Sequence, residues 1–189
     1  QQRMWLLNRM DEHSAAYTIP LAMRLSGALD VPALIAAFAD VVARHEVLRT
    51  VYPQTDAGPV QVILPVADAP APHLAPVPLR SADMLDAVSH FVTEPFDVTA
   101  AVPLRARLFV VTDAPGSEYV LVVAVHHIAA DGSSLVPLAR DVMTAYAARR
   151  GGTAPDWTPL PVQYADFALW QREVLGSEED PESPAARQI

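Results

Sequence analysis

The sequence predicts an α+β fold, a mostly antiparallel sheet with helices packed on one face. Short apolar runs alternate with segments of helical periodicity, giving the order β-α-β-β-α-β-β-α-α. Two of the longest apolar runs, Leu104–Thr112 and Tyr119–Val125, are separated by a turn marked by Gly116, which suits an antiparallel hairpin. No internal repeat and no heptad pattern competes with this arrangement.

Taken in order, Tyr17–Leu25 reads as a strand closed by Ser26-Gly27. Asp30 then offers a helix cap, and Pro32 falls in the first turn, where its missing N–H does no harm. Leu34, Ile35, Phe38, Val41 and Val42 form one apolar stripe, so the helix spans residues 31–45. Val47–Tyr52 and Val60–Leu64 read as strands around a Pro/Asp/Gly turn, and the Pro- and Ala-rich residues 67–78 as a surface loop. Met84–Val92 is a second helix, ended by Glu94-Pro95. Leu104–Thr112 alternates Arg105 and Arg107 with apolar residues, a strand with one polar face. Tyr119–Val125 is almost unbroken apolar sequence and suits a strand covered on both faces. A third helix runs from Ser133 to Arg150 and stops at Gly151-Gly152. Tyr164–Leu175 is a short amphipathic helix that presents Phe167 and Trp170.

Composition narrows the function classes. A chain of 189 residues, 51% hydrophobic, can enclose one sizeable core or one lobe of a larger enzyme. A net charge of −9 argues against a nucleic-acid surface, and no apolar stretch approaches a membrane span. Without cysteine there is no disulfide or thiolate chemistry, which is compatible with a cytoplasmic home. All 13 basic residues are Arg, and Ala, Val and Pro abound, a bias expected of a high-GC bacterial genome. The start at Gln1 and the acidic, Pro-containing residues 176–189 suggest a piece of a longer polypeptide, with 1–175 as its folded part and 176–189 as a linker.

The chemistry concentrates at 126–132, H-H-I-A-A-D-G, where a buried strand breaks into a loop. Successive strand side chains point to opposite faces, so only one of His126 and His127 can meet a given cavity. These residues suit either packed histidines beside an Asp-Gly turn or a proton-handling site. Zinc is a poor third option, with no Cys and no third His nearby. Asp131 could orient an imidazole or pair with an Arg elsewhere. In R-H-E-V-L-R-T at 44–50, Arg44 and His45 can satisfy the end of the first helix. Arg49 lies inside apolar sequence and needs a carboxylate, for which Asp131 is the attractive candidate. In Y-A-D-F-A-L-W at 164–170 the aromatics suit packing alone.

Four segments, in order, resemble the first four core motifs of condensation domains of non-ribosomal peptide synthetases: Gln2-Arg3-Met4-Trp5-Leu6, R-H-E-V-L-R-T, H-H-I-A-A-D-G and Y-A-D-F-A-L-W. The resemblance covers essentially the whole chain. It implies a fold like chloramphenicol acetyltransferase, with this chain as the N-terminal lobe of two and the C-terminal lobe absent. It implies peptide-bond formation between a carrier-bound acyl or peptidyl donor and a carrier-bound aminoacyl acceptor. In that family the second His is associated with catalysis, here His127, and His126 is mainly structural. The resemblance further implies an ion pair between Asp131 and Arg49, with Arg44 as runner-up. Gly132 would allow close backbone approach, and Ser134 keeps the hydroxyl that follows the Gly.

The implied partners are upstream and downstream peptidyl carrier domains, an adjoining C-terminal lobe and an adenylation domain. Phosphopantetheine would arrive on the carriers; no cofactor or metal is expected to bind directly. The lobe alone is expected to be inactive. Epimerisation domains share the histidine motif, but the intact second and first motifs favour condensation. Heterocyclisation domains carry aspartates in place of the histidines. A non-catalytic docking lobe is the alternative of another class, and such relatives carry a degraded histidine motif.

Overall fold

The computed structural model describes residues 1–11, 14–176 and 183. The elements are α1 (Gln2–Met10), β1 (Thr18–Ser26), α2 (Val31–Arg44), β2 (Thr50–Val51), β3 (Gln54–Thr55), β4 (Gly58–Pro59), β5 (Val62–Ile63) and β6 (Val77–Leu79). They continue with α3 (Met84–Thr93), β7 (Leu104–Val111), β8 (Glu118–His126), α4 (Leu135–Arg150) and α5 (Tyr164–Leu175). The chain divides into two units, Gln1–Trp157 and Thr158–Ile189. In the second, the rings of Tyr164, Phe167 and Trp170 follow one another along α5 with centroids 5.8 and 5.7 Å apart. Most of the expected linker 176–189 lies outside the described residues.

The first unit is built on a four-stranded sheet in the order β1-β8-β7-β6. β8 is antiparallel to β1 on one side and to β7 on the other, with Thr18 opposite His126 and Leu104 opposite Val125. The expected hairpin is therefore β7–β8. The expected α+β class with a predominantly antiparallel sheet is the class observed.

The helices, however, cover both faces of the sheet rather than one. Leu121, Val123 and Val125 pack with Leu34, Phe38 and Val41 of α2 and Val142 of α4. Val120, Val122 and Ala124 pack with Phe91 of α3, Phe96 and Val98, and Met4 and Trp5 of α1 join that layer. The near-continuous apolar sequence of β8 already required two covers, because a strand with one wet face alternates instead.

Local differences have local causes. α1 carries no sequence assignment above; it has no side-chain cap and no acidic residue in its first turn, so it lacks start signals. β6 begins at the end of the expected loop 67–78 and pairs in parallel with β7. Its Pro78 is tolerated because β6 is an edge strand, where a missing N–H breaks no central ladder. The expected strand Val47–Tyr52 shrinks to Thr50–Val51, since Glu46–Arg49 closes a 3₁₀ turn directly after α2. The cap of α2 matches expectation: Asp30 accepts the N–H of Ala33 at 2.9 Å.

α2 and α4 run antiparallel and are joined by two sets of ion pairs. Arg149 donates through Nε and Nη2 to Asp40 at 2.7 and 2.5 Å. Arg44 Nε donates to Asp141 at 3.1 Å, and His45 Nε2 lies 2.8 Å from the same carboxylate oxygen.

Candidate functional site

β8 delivers its two histidines to different surroundings. His126 is 2% exposed, while His127 is exposed to solvent. The His127 N–H still donates to the Tyr17 carbonyl at 2.8 Å, which extends the β1 pairing by one residue. The Ala129 N–H then reaches back to the His126 carbonyl at 2.9 Å and closes a turn.

His126 holds this turn from inside. Its Nδ1 accepts the Ile128 N–H at 3.1 Å, so the neutral ring carries its proton on Nε2. The ring packs between Tyr17, at 6.4 Å, and the edge-on Phe96, at 5.7 Å. Burial, and secondarily the neighbouring His127, push its pKa down to about 4. The linkage sign follows. Below its ordinary value near 6.5 the unfolded chain takes up a proton that the folded chain refuses, so stability declines as pH falls from 6.5 towards 4. Denaturant unfolding of this chain at a series of pH values should show that slope. His126→Asn, which offers an acceptor near the Nδ1 position but does not titrate, should flatten it.

Asp131 stands elsewhere in the network than expected. It is exposed and forms a capping box with Ser134: its Oδ1 accepts the Ser134 N–H at 3.0 Å, while Ser134 Oγ accepts the Asp131 N–H at 3.1 Å. The Ser133 and Ser134 hydroxyls both donate to the same Oδ1 at 2.7 Å. Those hydrogen bonds, led by that of Ser133, lower its pKa to about 2. The expected Asp131–Arg49 ion pair is therefore absent, and a short polar residue before the helix is used as a cap instead. Asp131→Ala should weaken the start of α4 only slightly, with a far smaller shift in the unfolding midpoint than Asp141→Ala.

Arg49 is buried, and it turns to its own surroundings. Within the 3₁₀ turn, residues three apart eclipse, which brings Nη2 to 3.3 Å from Glu46; Nη1 donates to the Leu64 carbonyl. Arg44, the runner-up, pairs with Asp141 and places its guanidinium 4.9 Å above the Trp157 ring. Neither arginine meets Asp131. Gly132 has open space where a Cβ would stand, so nothing among the described residues demands glycine there.

Several contributors escaped the motifs. Asp141 is 5% exposed although α4 is otherwise apolar on that stripe, with Leu138 and Val142; a carboxylate there was the available signal. Gln1 donates through Nε2 to the Ile128 carbonyl at 3.1 Å and to the Tyr52 hydroxyl at 3.0 Å. Asn8 Nδ2 donates to the Phe96 carbonyl at 2.9 Å. Gln1, just before the first motif, thus reaches the back of the histidine turn, a link between residues 127 positions apart that no local pattern reveals.

The profile described as "Condensation domain" matches residues 1–183. The chain belongs to the condensation domain family. It is 52% identical over its whole length to a segment of the "Probable non-canonical nonribosomal peptide synthetase (NRPS) CymA" of Salinispora arenicola, of which it spans 2%. Among solved structures, the X-domain in complex with OxyB from teicoplanin biosynthesis shares 41% identity and a TM-score of 0.87; 96% of this chain covers 38% of that one. The starter condensation domain of the rhizomide synthetase RzmA, in a doubly substituted form, is 21% identical with a TM-score of 0.77. There 91% of this chain covers 42% of the neighbour, and that likeness concerns the fold alone. This condensation domain chain therefore spans well under half the length of these relatives.

Proposed function

We propose that this chain takes part in peptide-bond formation between a carrier-bound acyl or peptidyl donor and a carrier-bound aminoacyl acceptor. The amine nitrogen attacks the donor thioester carbon, a C–N bond forms, the C–S bond breaks, and the donor's pantetheine thiol is released. The thioester is already activated, so holding two tethered reactants together supplies much of the acceleration. His127 meets the attacking amine and accepts a hydrogen bond from it. His126 shapes the turn, Asp131 and Ser134 start α4, and the open space at Gly132 admits the substrate backbone. Residues 1–175 serve as one lobe of the condensation domain. Phosphopantetheine enters as the arm of each carrier, not as a resident group.

The observation that carries this reading is the division of the pair: one histidine is buried in a supporting role, and the other is free at the end of a central strand. A second reading, a lobe that holds another protein, draws on the likeness to the X-domain solved with OxyB. The intact His126, His127, Asp131 and Gly132 favour chemistry over docking. Loading donor and acceptor carriers and incubating them with the full-length protein separates the readings. Dipeptide supports condensation, an inverted donor α-carbon supports epimerisation, and neither product supports docking.

A further inference from the structure

The loop after α3 is tied to the sheet by one side chain. Arg105 lies on β7 directly opposite Ala124 of β8, so it shares a face with Ala124 and, one pleat on, with His126. Its Nη1 donates to the Pro95 carbonyl at 3.0 Å, and its Nη2 to the Glu94 carbonyl at 2.6 Å. The Glu94 carboxylate lies 3.6 Å from Nη1. The guanidinium carbon stands 3.9 Å from the centre of the Phe96 ring and 5.7 Å from that of Phe91.

Phe96 carries the restraint onward. Its ring meets His126 edge to face, with the planes at 68°. His126 in turn fixes the Ile128 N–H, one residue beyond His127. Arg105 also bears a cost that a solvated tether would avoid: its Nε is buried without a hydrogen-bond partner, and burial lowers its pKa despite the nearby Glu94. Arginine suits the task where lysine does not. Its rigid fork addresses two successive carbonyls while its plane covers an aromatic ring.

We propose that Arg105 is a positioning residue for condensation, orienting His127 through Phe96 and His126. The proposal rests on the reading that His127 meets the amine. Small displacements of a reacting group cost large factors in rate, so loss of this clamp reaches kcat rather than carrier binding.

The test uses the full-length protein with loaded carriers. Arg105→Lys should lower kcat for dipeptide formation about tenfold or more and leave KM for both carriers within about twofold. Hydrogen exchange over residues 126–132, read by mass spectrometry, should accelerate in the same variant. Adding Phe96→Leu to Arg105→Lys should cost little more, since both act along one path. An unchanged kcat, a change confined to KM, or unchanged exchange over 126–132 each overturns the proposal. Should Arg105→Lys fail to fold, Phe96→Leu alone decides by the same readouts. Full activity in His127→Ala would remove the functional reading instead; exchange over 126–132 would then still judge whether Arg105 governs the turn.

Discussion

On the proposed function, His127→Ala in the full-length protein should lower the rate of dipeptide formation by about 10²–10⁴-fold, the range for losing a group that handles a proton in the transition state. The substitution removes an exposed imidazole and leaves the strand intact, because the pairing at this position is made by the His127 backbone N–H. Folding and carrier recognition should therefore survive, and the loss should appear in single-turnover rates with loaded carriers. His126→Ala should behave differently. It strips the Ile128 N–H of its acceptor and leaves a void beside Phe96, so its loss of activity accompanies a loss of stability. Equal activity in His127→Ala and the parent protein would assign the chemistry elsewhere.

Asp141→Ala should destabilise this chain by about 3 kcal/mol, at the lower end of the cost of breaking a buried pair. The side chains of Arg44 and His45 retain 15% and 23% of their exposure, so water relieves part of the penalty when their partner is removed. Burial alone would raise the Asp141 pKa, but His45 and Arg44 outweigh it and hold the carboxyl below its ordinary value. Its contribution is accordingly present above the ordinary carboxylate range and is lost as pH falls through the lowered folded value. Denaturant midpoints at neutral pH, compared between the parent and Asp141→Ala, measure the effect. A change as small as that of Asp131→Ala would show that the α2–α4 contact does not depend on this carboxylate.

The contrast between Asp131 and Asp141 marks where sequence reasoning reaches its limit. The need of Arg49 for a carboxylate followed from its apolar setting, but its partner is Glu46 of its own turn, while the carboxylate that Arg44 meets depends on how α4 lies against α2. Helices with apolar residues at helical spacing, such as 31–44 and 135–150, were legible to within two residues. The hairpin of β7 and β8 was equally legible, because alternation and a glycine-marked turn are local. α1 and β6 were not: one has no start signal, and the other borrows its hydrogen bonds from a strand about 30 residues away. The roles of Gln1, Phe96 and Arg105 belong to the same class, since each acts through a partner distant in sequence or through backbone carbonyls that carry no sequence signature.

Because β8 is gripped from both sides, the choice of which histidine faces outward is settled along its whole length. Thr18 to Ser26 meet His126 to Glu118 in one unbroken ladder, and Leu104 to Val110 meet Val125 to Tyr119 in the other. A slip of one residue would turn every side chain to the opposite face and carry one imidazole into the place of the other. Adjacent histidines are thus distinguished by phase rather than by chemical identity. An added or deleted residue anywhere in Glu118–Val125 would alter the exposed histidine as surely as a substitution at the motif itself.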